Sequence, residues 1–164
     1  MNKTLGIYTV ILYIVPSSLW EVDVVDTLSQ NLTIRSSVNE LKRVTEFTEN
    51  IGEQLGLSED VIDDISIAVS EAVNNAIKHG NKNNESKAIE ISYKNEKEKI
   101  IVYVKDNGEG FEIDNISDPR IDENLLKNSG RGILIMRSLM DDVVVISDNQ
   151  GTEVQLVKYI NRNN

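Results

Sequence analysis

Three short polar constellations interrupt an otherwise apolar pattern, and their side chains are of the kinds that handle phosphates and cations. The first is Glu71 with Asn75, inside Ser-Glu-Ala-Val-Asn-Asn-Ala-Ile-Lys-His-Gly. At ~100° per residue they sit about 40° apart, one turn from each other on one helix face. A carboxylate beside an amide oxygen is a ligand pair for a hard cation such as Mg²⁺, or a base beside a ligand. The alternative is a pair on the solvent edge with no task. The second is Asp106-Asn107-Gly108-Glu109-Gly110, at the end of a run of β-formers. Its strand-end carboxylate can accept a hydrogen bond from an exocyclic amine, and Gly108 and Gly110 let a ligand approach the main chain. Asp-Asn-Gly is equally ordinary turn chemistry. The third is Ser129-Gly130-Arg131-Gly132-Ile133, just before a helical pattern. Free N–H groups and the helix dipole make such a turn an anion site, or it is simply a tight entry turn.

The elements that must carry these residues follow from periodicity. Asn31 to Arg35 reads as a short strand. Val38, Leu41, Val44, Thr48, Ile51 and Leu55 recur at helical intervals behind an N-cap candidate, Ser37, and stop near Gly56. A second N-cap candidate, Ser58, precedes Glu59 and Asp60, whose charges suit the positive end of a helix. The helix from Glu59 to about His79 has a wide apolar surface and should be central and buried, with Gly80 closing it as a C′ glycine. Ala88 to Tyr93 and Ile100 to Lys105 are strands joined by a turn at Asn95 to Lys99. Gly132 to Met140 is helical. Val143 to Ser147 and Thr152 to Tyr159 are strands joined by the four-residue loop Asp148-Asn149-Gln150-Gly151. Helices first, then hairpins with one inserted helix, make an α+β fold: helices on one face of a mostly antiparallel mixed sheet.

Composition narrows the chemistry. The chain has 164 residues, 40% of them hydrophobic, enough for one domain with a proper core. Its 17 basic and 27 acidic residues give a net charge of −10, which argues against nucleic acid as a partner. No cysteine is present, so thiolate metal sites, disulfides and cysteine nucleophiles are excluded. A single histidine, His79, excludes a multi-histidine metal site. Residues 1–30 read differently from the rest. The apolar run Leu5 to Val15 would rise about 16 Å as a helix, short of the roughly 30 Å membrane core. No membrane anchor is expected from it. It has the length of a signal-peptide core, but no small-x-small cleavage site follows; an extra strand or a start codon placed upstream of the true one are the other readings.

Taken in order, a polar pair on a buried helix, Asp-x-Gly-x-Gly ending a strand, a loop, Gly-x-Gly before a helix and Gly151-Thr152 in a hairpin form a specific set. In that order the chain, over about residues 31–160, resembles the histidine-kinase-like ATPase superfamily with the Bergerat ATP-binding fold. The resemblance implies ATP and Mg²⁺ as cofactors. It implies that Asn75 holds the metal, Glu71 is the general base, and Asp106 recognises the adenine amino group. Gly108 and Gly110 would shape the adenine pocket, Gly130, Arg131 and Gly132 would form the second glycine box on the phosphates, and Thr152 would sit near the adenine. A lid is expected at about 112–131.

The branch is set by what else the chain contains. Gyrase-, Hsp90- and mismatch-repair-type members carry large transducer domains for which 164 residues leave no room. A complete sensor kinase needs a phosphoacceptor histidine on a dimerisation helix pair, and the one histidine, His79, lies instead in the helix motif that contains Glu71 and Asn75. Gly130-Arg131-Gly132-Ile133-Leu134 also lacks the further glycine of many sensor kinases. The motif around Glu71, with Asp118-Pro119, Glu123-Asn124-Leu125-Leu126 and Ser129 to Ile133, is similar to the anti-sigma-factor serine kinases. Members bind a sigma factor and phosphorylate a serine on a STAS-type antagonist. The resemblance also implies a homodimer. The alternatives are a nucleotide-gated binding switch with little or no kinase activity, and a detached two-component catalytic domain. An ATP-dependent kinase needs cytoplasmic nucleotide, so a cytoplasmic location is expected and residues 1–30 are taken as a non-signal extension.

Overall fold

The computed structural model describes residues 29–96, 98–110 and 125–160. The described strands are β1 (Ser29–Arg35), β2 (Ala88–Glu96), β3 (Lys99–Asp106), β4 (Asp142–Asp148) and β5 (Gly151–Tyr159). They form one sheet in the order β1-β2-β3-β5-β4. Every ladder in it is antiparallel, so the sheet is more uniform than the mixed one expected from sequence. Its helices are α1 (Leu41–Gln54), α2 (Glu59–Asn75) and α3 (Leu125–Leu139).

Alternation places Ile89, Ile91 and Tyr93 of β2, Ile100, Val102 and Val104 of β3, and Val154 and Leu156 of β5 in one core. Against this face lies α2, whose Ile65, Ala68, Val69, Ala72 and Val73 are all buried. The wide apolar surface seen in the sequence is explained by that position: α2 touches α1 on one flank and α3 on the other, with the sheet beneath. Its Ile62 also meets α1 at Gly52, where a Cβ would collide with the Ile62 side chain.

Local signals were met with differing fidelity. Gly56 adopts a left-handed φ of 67°, its N–H bonds to Glu53 O and that of Leu57 to Gly52 O, which is a Schellman ending for α1. Ser37 and Ser58 occupy N-cap positions with extended backbones, but neither hydroxyl caps. Ser37 Oγ instead donates to Glu85 Oε1 at 2.8 Å. Gly80 is not the left-handed C′ glycine expected: α2 widens into a π turn over Ala76–Gly80, and the left-handed residues are Lys82 and Asn83. The β4–β5 hairpin closes at the Asp148↔Gly151 pair, with Asn149 and Gln150 at its tip. The expected amino-terminal extension falls, for residues 1–28, outside the described residues, as does Lys97 in the β2–β3 turn.

One buried polar contact ties α1 to the sheet. Thr48 Oγ1 donates to Val44 O at 2.9 Å, so its single proton is committed and the Tyr93 hydroxyl, 2.6 Å away, donates to Thr48. Burial pushes the Tyr93 phenol well above its ordinary pKa, with the Thr48 bond acting the other way. Phe47 packs edge-on against the same ring at 5.7 Å. Thr48→Val leaves a buried phenol without an acceptor and is expected to cost about 1–3 kcal/mol in urea unfolding. Adding Tyr93→Phe should recover part of that loss; simple additivity of the two changes would show that the bond contributes no coupling.

Candidate functional site

Asp106 ends β3 and is only 3% exposed. A bare carboxylate is costly in such a place unless donors meet it. Two do: the Gly108 N–H bonds to Oδ1 at 2.8 Å, and the Thr152 N–H, from β5, bonds to the same oxygen at 3.2 Å. Among the described residues no donor is directed at Oδ2, which leaves an acceptor for a ligand. Burial pushes the Asp106 carboxyl above the ordinary range, against the pull of the two N–H bonds and the Lys87 charge.

The space around that carboxylate is cleared by glycines from three elements. A Cβ on Gly80 would overlap the Asp106 carboxylate itself, and one on Gly108 would overlap the Gly80 carbonyl. Gly110 (φ 63°) and Gly151 (φ 132°) combine left-handed backbone with close approach, the first to the Asp148 carbonyl and the second to the Asp106 carbonyl. The Asp-Asn-Gly segment is therefore a turn wedged between the end of α2 and the β4–β5 hairpin, with its carboxylate facing a pocket.

An open pocket lies beside it. Asp106, Gly110 and Thr152 line one side, and Asn75, His79 and Gly80 another. The remaining walls are Ala72, Ala76, Val104, Ile133, Met136, Val145 and Val154. An apolar slot with one buried carboxylate suits a flat heteroaromatic ring carrying an amino group. Thr152 is steadied by its hydroxyl, 3.1 Å from Ser147 Oγ.

Glu71 and Asn75 occupy the adjoining stretch of α2, and both are half-buried. Gly132 packs directly on them: a Cβ there would lie 2.9 Å from Glu71 Oε2 and 3.1 Å from Asn75 Nδ2. The structure thus gathers Glu71, Asn75 and Gly132 in one place, and Asp106, Gly108, Gly110 and Thr152 in another, with Asn75 shared by pocket and pair. One sequence expectation changes here. Helix α3 begins at Leu125, so Gly130, Arg131 and Gly132 lie inside a helix rather than at its free entry turn. Gly132 is small because α3 comes close to the Glu71–Asn75 pair, while Arg131 is exposed. The lid expected at 112–131 falls outside the described residues over 112–124, as do Asp118, Pro119, Glu123 and Asn124.

Two anchoring residues carry no mark in the sequence. Lys158 of β5 bonds to Asp64 of α2 at 2.8 Å and to the carbonyl of Leu139, the last residue of α3, at 2.6 Å, holding the two helices together. Asn81, in a segment that reads as loop, is buried beside the Asp106 turn. No periodic or compositional signal points to either one, since each acts through contacts far apart in the chain.

The histidine kinase-like ATPase domain model matches residues 34–158. The chain belongs to that family. The matched span contains every site residue named above, from Glu71 to Thr152. Among curated relatives, the serine-protein kinase RsbW of Listeria monocytogenes is 35% identical over 117 residues, covering 68% of this chain and 74% of its own. RsbW of Staphylococcus aureus is 37% identical over 114 residues, covering 65% and 71%. This histidine kinase-like ATPase domain therefore lies with the serine-protein kinase branch. The crystal structure of the RsbU and RsbW domains of Rv1364c from Mycobacterium tuberculosis shares the fold, with TM-score 0.61 and 19% identity over 80% of this chain. The chain spans about a third, 32%, of that longer molecule.

Two outcomes are expected from this geometry. Asp106→Asn keeps an oxygen for Gly108 and Thr152 but removes the buried charge. Because the folded carboxyl titrates above its unfolded range, its favourable contribution is present in acid and lost as the pH rises through the folded value. The melting temperature of Asp106→Asn relative to wild type should therefore climb from acid to neutral pH, while ATP affinity falls. Gly80→Ala drives a methyl into the carboxylate and should weaken ATP binding about tenfold or more by calorimetry.

Proposed function

We propose that the chain is an ATP-dependent protein-serine kinase and anti-sigma factor, one that binds a sigma factor and phosphorylates a serine on a STAS-type antagonist. The observation that carries this reading is the pairing of an apolar pocket, ending on a buried carboxylate, with the Glu71–Asn75 pair one helical turn along its wall. The 35–37% identity to RsbW serine-protein kinases supports the choice of substrate class.

The donor set fits Mg²⁺-ATP. Among the described residues no cluster of three or more His, Asp or Glu side chains forms a self-sufficient metal cage. Magnesium shared with nucleotide phosphates needs only one or two protein oxygens, and the Asn75 amide would supply one. When bound, Mg²⁺-ATP provides the phosphoryl group and neutralises the charge that develops on its transfer.

The chain's own residues then have distinct tasks. Asp106 accepts the adenine amino group, in an orientation fixed by the Gly108 and Thr152 N–H bonds. Ala72 and Ala76 keep the helix wall low, which would leave room for the ring beside Val104, Val154 and Met136. Glu71 accepts the proton of the partner's serine hydroxyl, a transfer that contributes about 10²–10⁴-fold when a base is well placed. Gly130, Arg131 and Gly132 are proposed to meet the phosphates from α3. A need for cellular ATP supports a cytoplasmic location. None of the described helices is long and apolar enough to cross a membrane.

Glu71→Ala tests the assignment. Serine phosphorylation of a STAS antagonist should fall at least about a hundredfold, with Mg²⁺-ATP affinity little changed in calorimetry. Equal loss of binding and transfer would remove Glu71 from the role of base. Retention of transfer by the variant would likewise remove Glu71 from that role, absence of transfer in the wild type would turn the reading toward a binding switch, and an acid-labile phosphohistidine product in place of phosphoserine would turn it toward a detached two-component domain.

A further inference from the structure

The nucleotide reading leaves without a task the most heavily bonded polar side chain next to the site, Asn81. It is 1% exposed. Its Nδ2 donates to the Ala88 carbonyl at 3.0 Å, and its Oδ1 accepts the Asn107 N–H at 3.1 Å. Its main chain is held as well: the N–H bonds to Ala76 O at 2.7 Å, and its carbonyl accepts the Asn84 N–H at 3.0 Å. One residue thus joins the end of the helix that carries Asn75, the start of β2, and the turn that follows Asp106.

The bond from Asn81 to Ala76 reaches five residues back and closes the π turn. A π turn places one more residue in the helix than an α turn does, so all that follows is rotated relative to the α-helical course. The consequence here is that Gly80 lies against the Asp106 carboxylate while Asn81 engages Asn107. Asn107 stands between Asp106 and Gly108, the two ends of the bond that orients the carboxylate. A donor and an acceptor are needed at fixed separation, facing a carbonyl on one side and an N–H on the other. Asparagine supplies both from one short side chain, whereas aspartate would set a second acceptor against Ala88 O.

We propose that Asn81 is a positioning residue for base selectivity: it fastens the Asp106-Asn107-Gly108 turn to the end of the helix and so sets the direction from which Asp106 meets the exocyclic amine of the nucleotide. This rests on the adenine reading above. Asn81 touches no ligand itself and acts through Asn107 on its neighbour.

The test is calorimetric titration of the full chain with Mg²⁺-ATP and with the Mg²⁺ complex of purine riboside triphosphate, which lacks the 6-amino group. Wild type, Asn81→Ala and Asn81→Ser are compared, with thermal melts as the check on folding. Wild type should prefer ATP; equal affinity for the two nucleotides would overturn the adenine reading itself, before any variant is considered. In Asn81→Ala the preference should shrink about five- to tenfold, because ATP weakens and the amine-free nucleotide does not. Parallel weakening of both nucleotides, or an unchanged preference, would overturn the positioning role, since a merely structural side chain would affect both alike. Asn81→Ser, which keeps a short hydroxyl, carries the same comparison where the alanine variant loses its cooperative melt.

Discussion

The structure turns on one close approach, between the end of the central helix and the end of the central strand. Asp106 is buried there, and a carboxylate out of water must be met by donors and by little else. The backbone meets it: Gly108 from its own turn and Thr152 from the neighbouring strand. The requirement propagates outward. Gly80 and Gly108 must lack side chains for the helix end and the turn to touch, and Gly151 must lack one for β5 to pass the Asp106 carbonyl. The antiparallel pairing of β3 with β5 brings the Thr152 N–H to that oxygen while Val104 opposes Val154.

That arrangement costs stability and supports binding. A charged group held below the surface with one oxygen unmatched is a poor element of a core and a good element of a pocket. The rest of the fold offsets it through ordinary means: α2 buries an apolar stripe from Ile62 to Ile77, and the sheet returns one apolar face from four of its strands. The polar fastenings sit at the edges of this core. Thr48 and Tyr93 tie α1 to β2, and Lys158 ties α2 and α3 to β5. Because α3 is fixed at its far end, Gly132 can be held against Glu71 and Asn75. The Glu71 carboxylate and the Asn75 amide therefore share one environment, set by a helix that carries neither.

Much of this was legible in the chain. Period-2 alternation over 88–93 and 152–159, the three- and four-residue spacing from Val38 to Leu55, and the apolar breadth of residues 61–77 define the elements. Burial of one apolar face drives folding more than any other interaction, and it writes itself into spacing. The order of Glu71–Asn75, Asp106–Gly110, Gly130–Gly132 and Gly151–Thr152 also defined the family, since a nucleotide site assembled from successive elements leaves its marks in succession. These features needed only local chemistry to be read.

Tertiary structure decided what depends on distance through space. Gly80 reads as a helix stop because glycine commonly ends helices, but its reason is the Asp106 carboxylate, far along the chain. Asn81 reads as loop because Asn-Lys-Asn-Asn is loop-like composition, yet it is buried by partners at Ala88 and Asn107. Ser37 and Ser58 read as caps from position alone, while side-chain hydroxyls choose whichever partner packing offers. Helix α3 starts earlier than the glycines suggested, and its Gly132 lies against Glu71 and Asn75 of α2, a contact between residues some sixty positions apart. Sequence determined which residues have chemistry and which faces are buried; only the folded chain determined which of them meet, because contact across long sequence separation leaves no period to detect.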